Sequence, residues 1–82
     1  MAKLDVKAFG LTLGIVWGAG VFLMGLVAMF FDWGNLFIVL ISSLYIGYKA
    51  TLLGSIIGGI WGFVDAGIGG VVVAWLYNKL AR

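Results

Sequence analysis

The chain has 82 residues, 65% of them apolar before its 14 glycines are counted, and only 10% charged. A soluble domain of this size carries roughly 25% charged residues and about half apolar ones, so a water-soluble globule is excluded. The formal charge of +2 comes from five Lys and Arg against three Asp, too few and too scattered for a nucleic-acid footprint. With neither Cys nor His, the chain lacks thiolate metal ligands, disulfides and the commonest general base. No enzyme, catalytic residue, metal site or cofactor is expected, and the lipid bilayer remains as the natural partner.

Residues 1–7, with Lys3 and Lys7, precede a charge-free run of 24 residues from Ala8 to Phe31. As a helix that run is roughly 36 Å long, enough to cross a hydrocarbon core of about 30 Å. It exceeds the apolar stretch of about 7–15 residues found in a signal peptide, so it is expected to stay as an anchor. Residues 32–49 form a connector. Asp32-Trp33-Gly34-Asn35 reads as a turn, with Asn35 placed to cap a short helix over 36–46. That helix is too short to cross and belongs at the interface or folded back partway into the bundle, a re-entrant crossing being the alternative. The second span, 50–77, holds one charge, Asp65, and residues 78–82 follow it. Trp33, Tyr45, Tyr48, Lys49, Trp75 and Tyr77 are expected as interfacial anchors, because amphipathic side chains settle at headgroup level.

The expected fold is therefore an all-α membrane protein, a hairpin of two transmembrane helices with a short interfacial helix in the connector. Lys3, Lys7, Lys79 and Arg82 flank the outer ends of the spans, against Lys49 alone in the connector. That balance puts both termini in the cytoplasm.

Glycine spacing carries the next expectation. Gly10, Gly14 and Gly18 recur every four residues, and Gly25 returns to within about 20° of Gly14 on a helical wheel. In the second span Gly54, Gly58 and Gly62 repeat the step, Ala66, Gly70 and Ala74 continue it, and Gly69 adds small surface beside it. Such strips let helix backbones approach closely in lipid, so they are expected to be packing faces, within the hairpin or between protomers. A weaker echo sets Gly14-Ile15-Val16-Trp17-Gly18 against Gly58-Gly59-Ile60-Trp61-Gly62 at a fixed offset, with Gly25 falling on Gly69. Antiparallel helices with matching faces would give a pseudo-two-fold hairpin.

Asp65 is the one charge inside a span, where it costs on the order of 2.5–3.5 kcal/mol on insertion scales. Gly54, Gly58, Trp61, Gly62 and Gly69 lie within about 60° of it, so it is expected on the packing side of the helix. With no cation in the first span, desolvation favours the neutral acid. Three roles stay open: a hydrogen-bond donor to a carbonyl, to Ser55 or to another copy of itself; a proton or cation site; or half of a salt bridge to a partner protein.

Two family resemblances bear on that choice. A hairpin with glycine strips on its first helix and Gly62-Phe63-Val64-Asp65-Ala66 midway along its second resembles the proton-carrying c subunit of rotary ATP synthases, and implies a carrier role for Asp65. The connector lacks that family's Arg-Gln-Pro loop. Gly54-Ser55-Ile56-Ile57-Gly58, Gly62-Phe63-Val64-Asp65, Gly69-Gly70 and Ala74-Trp75-Leu76-Tyr77-Asn78, together with Lys3-Leu4-Asp5-Val6-Lys7-Ala8, Trp17-Gly18 and Gly47-Tyr48, are similar to a family of short prokaryotic membrane proteins of unknown function. Some of its members bear the label "bacteriophage holin". The resemblance implies a multi-pass protein of the prokaryotic cytoplasmic (inner) membrane, and the label a pore formed by oligomerisation. The functional expectation is a homo-oligomeric scaffold or holin-like pore assembled through the glycine faces; an accessory subunit of a larger membrane complex and a proton or cation carrier are the alternatives.

Overall fold

The computed structural model describes residues 3–81, in which three helices follow in order: α1 (Val6–Phe31), α2 (Asn35–Ser42) and α3 (Leu52–Leu80). Arg82, counted above among the basic residues, lies outside the described residues. Both long helices, about 39 Å and 44 Å at 1.5 Å per residue, are long and apolar enough to cross a membrane.

Capping sets their ends. Asp5 is extended and its carboxylate accepts from the Ala8 N–H at 3.2 Å, so α1 starts at Val6, ahead of the apolar run. Lys7 limits the lipid-facing length but not the helix. At the other end Asp32 is left-handed (φ 50°) and returns its N–H to Ala28 O. Thr51 caps α3 by accepting from the Gly54 N–H at 2.9 Å. In the last turn of α3 the Lys79 ammonium stands 4.8 Å from the centre of the Trp75 ring, which suits a cation near a helix C-terminus. Beside it the Asn78 carboxamide donates to Leu4 O and accepts from Leu4 N–H, both at 2.7 Å, and ties the two chain ends together.

α1 and α3 pack antiparallel along a seam of glycines. A Cβ added at Gly10 would lie 3.0 Å from Gly67 O, at Gly14 2.8 Å from Phe63 O, and at Gly18 2.8 Å from Gly59 O. From the opposite side, a Cβ at Gly62 would lie 3.2 Å from Gly18 Cα and one at Gly70 2.9 Å from Gly10 Cα, while one at Gly25 would enter the Ser55 side chain. Except at Gly25, a side chain at these positions would press on backbone. Each glycine costs a helix about 1 kcal/mol relative to alanine, and here backbone contact offsets that cost.

The connector is folded back along this pair. α2 is shorter than expected. Ser42 and Ser43 turn their hydroxyls onto Val39 O and Leu40 O, competing for the backbone bonds that would continue the helix. Nor does Asn35 cap it: Gly34 (φ 80°) holds that position, and the Asn35 side chain donates to Asp32 instead. Of the three placements open to the connector, its contacts are those of a segment folded back against the bundle. Ile38 is buried, Phe37 meets Trp17 edge-on at 6.4 Å, and Tyr45 reaches Trp17. Trp17 lies 14 residues before the end of α1, so the connector descends about 21 Å along it. It turns at Gly47 (φ 94°) and climbs again, Tyr48 beside Gly58 and Lys49 beside Gly54. The buried apolar cluster thus gathers where the connector lies against α1: Val21, Ala28, Ile38, Tyr45 and Tyr48, with Met24, Phe37 and Ile41 against them.

Candidate functional site

At the lowest point of the connector, four side chains from three segments converge. The Tyr45 hydroxyl donates to Asp65 Oδ2 at 2.6 Å and accepts from Trp17 Nε1 at 2.9 Å. Its ring stacks on Trp61 with centroids 5.9 Å apart and planes within 7°. Trp61 is itself fixed, its Nε1 donating to Ile46 O at 2.9 Å. The two Trp-Gly pairs of the sequence echo make this crossing: Gly18 and Gly62 touch, and Trp17 and Trp61 both hold Tyr45. The echo goes no further, because Gly14 meets α3 whereas Gly58 meets Tyr48, and Gly25 is filled by Ser55 whereas Gly69 has nothing within 4 Å.

Asp65 faces the connector side of α3 with Gly54, Gly58 and Trp61, whereas of the other two residues expected on its side Gly62 packs on α1 and Gly69 is open. Its partner was not among those expected. Asp65 accepts a hydrogen bond from Tyr45, while Ser55 is buried against Gly25, where its hydroxyl has no hydrogen-bond partner among the described residues. Asp65 also remains exposed on its outer side. Oδ1 makes no hydrogen bond among the described residues, so the carboxylate is bound through one oxygen and open through the other.

The expected packing residues divide into three groups. Gly10, Gly14, Gly18, Gly25, Gly62 and Gly70 lie in the α1–α3 seam. Gly54 and Gly58 instead receive the returning connector: a Cβ at Gly54 would stand 2.7 Å from the Lys49 backbone, and one at Gly58 would enter the Tyr48 ring. Gly69 is open. The expected anchors divide as well. Trp33, Lys49, Trp75 and Tyr77 are exposed. Tyr45 and Tyr48, expected at headgroup level, turn inward, 6% and 2% exposed, and Tyr48 donates to Val21 O at 2.6 Å. A signal for this was present: two tyrosines flanking Gly47 in an apolar stretch must find acceptors once away from water.

Chemically, the site holds one carboxylate whose neighbouring donors are already committed, on an exterior dominated by Leu, Ile, Val, Phe and Trp. Compared with models of protein families, with curated proteins and with solved structures, the chain matches none.

Proposed function

We propose that the chain is a small integral protein of the prokaryotic cytoplasmic membrane, both termini cytoplasmic, that acts by assembling in the bilayer as a homo-oligomeric scaffold or holin-like unit. The observation that carries this reading is the exposed Asp65 with the unfilled Gly69 one helical turn away. A carboxylate facing hydrocarbon at mid-span costs on the order of 2.5–3.5 kcal/mol, and a bare glycine beside it permits a second helix to approach closely and shield it on the Gly69 side, leaving its Trp61 side open. Gly20 on α1 is open as well, and the glycines of the strips are engaged within the chain, so assembly runs through Gly69, the open glycine beside Asp65, and not through the strips that close the hairpin. The apolar exterior argues against a permanently water-filled pore.

Native mass measurement in mild detergent tests this: a closed set of identical chains is expected, converted to single chains by Gly69→Leu with the hairpin intact. A single copy bound to other proteins would replace the reading with that of an accessory subunit. The carrier reading is favoured by one feature, the hydrogen-bonded carboxylate at mid-span. A carbodiimide that attacks protonated carboxylates in apolar sites should then label Asp65, and Asp65→Asn should abolish proton flux into liposomes; unchanged flux ends that reading.

A further inference from the structure

The geometry points to a binding site for a hydrophobic organic cation, one with a quaternary ammonium, phosphonium or delocalised charge, on the open side of Asp65 and Trp61. Every nearby polar hydrogen is already committed to an acceptor within the chain. Trp17 Nε1 goes to Tyr45, the Tyr45 hydroxyl to Asp65 Oδ2, and Trp61 Nε1 to Ile46 O. What faces outward is Asp65 Oδ1, with no hydrogen bond among the described residues, and the Trp61 ring, 41% exposed, with one face taken by Tyr45. A carboxylate oxygen and an indole face both attract positive charge, and neither offers a proton to an anion.

Among the described residues no cation pairs with Asp65, and Lys7 lies in the groove on the α1 side of Val64 and Ile68. Lys49 stands beside Gly54, about 16 Å up α3 from Asp65, and Lys79 is about 21 Å down it. Small inorganic cations are poorly served: Ca2+ takes six to eight oxygens and Mg2+ a full octahedron, whereas one carboxylate and one hydroxyl converge here. An apolar body, by contrast, has a place. Trp61, Ile57, Ile60 and Val64 line a shallow hollow of about 320 Å³, within the size range of small-molecule sites. Because Asp65, Tyr45, Trp17 and Trp61 already hold one another, binding needs little rearrangement. The hollow lies on the Trp61 side of Asp65 and Gly69 on the other, so the inference goes beyond the assembly reading and stands apart from it.

Equilibrium dialysis of the detergent-solubilised protein against tetraphenylphosphonium tests the site. Saturable binding is expected, weakened about tenfold or more by Asp65→Asn and severalfold by Trp61→Leu, and largely kept by Asp65→Glu. Asparagine still offers Tyr45 an acceptor, so an unchanged near-ultraviolet circular dichroism spectrum certifies the fold of that variant. Neutral triphenylphosphine oxide should not compete. Equal affinity in Asp65→Asn, effective competition by the neutral compound, or uptake no greater than by empty micelles would each overturn the inference. So would a protein partner held through Asp65 by wild-type chain that binds no phosphonium. Gly69→Leu should lose assembly and keep phosphonium affinity, which separates failure of this site from failure of the assembly reading.

Discussion

The two sides of α3 use the same four-residue glycine step for different ends. Toward α1, Gly62 and Gly70 meet the backbone of Gly18 and Gly10, and the closeness of two main chains holds the seam. Toward the connector, Gly58 makes room for the Tyr48 ring and Gly54 for the Lys49 backbone, and that face is fastened by hydrogen bonds from Tyr45 and Tyr48. Small residues in a membrane helix therefore specify proximity, not the identity of what approaches. The seam admits almost no change of side chain. The connector face depends on a few aromatic residues finding their acceptors.

The comparison is broken most severely at the crossing point. Gly18→Leu drives a side chain into Gly59 O and the Phe63 backbone, and is expected to cost about 3 kcal/mol or to separate the helices altogether; equilibrium unfolding in mixed micelles, with α1–α3 proximity read by spin labels, measures it. Gly58→Leu displaces the Tyr48 ring but leaves the seam untouched. It should cost about 2 kcal/mol, seen as faster hydrogen exchange across residues 43–51 with α1–α3 distances unchanged. If both variants part the helices equally, the division of the two faces is wrong. The smallest effect is expected from Asn78→Ala, which removes both hydrogen bonds to Leu4 at the open end of the hairpin. Net loss of about 1 kcal/mol or less should appear as faster exchange at Leu4, with no change near Tyr45.

The long helices were legible in the sequence because hydrocarbon thickness and charge-free length impose them directly; their starts moved to where Asp5 and Thr51 supply caps, and α3 runs three residues past Tyr77 to Leu80. The glycine faces were legible as faces. Gly54 and Gly58 share a spacing with Gly62, yet periodicity describes one helix and cannot say whether a helix or a tyrosine fills the groove. Helical geometry grouped Asp65 with Gly54, Gly58 and Trp61, but did not give its exposure beside an open Gly69. Nor did it give the partner of Asp65, since Tyr45 reaches it only through the descent of the connector, and that descent depends on Ser42 and Ser43 ending α2 and on Gly47 turning the chain. Local pattern gave the helices, while tertiary packing decided the partner of Asp65.

Tyr48 rests its ring on α3, at Gly58, and its hydroxyl on α1, at Val21. Each helix thus provides half of the place the connector occupies, and neither half suffices alone. During synthesis α1 emerges first and the connector next, before its second wall exists. Tyr48 between Asn35 and Thr51 can therefore make both of its contacts only once α3 stands beside α1. The connector is in this sense a gauge of hairpin closure: whatever holds α1 and α3 apart also takes away the seat of Tyr48.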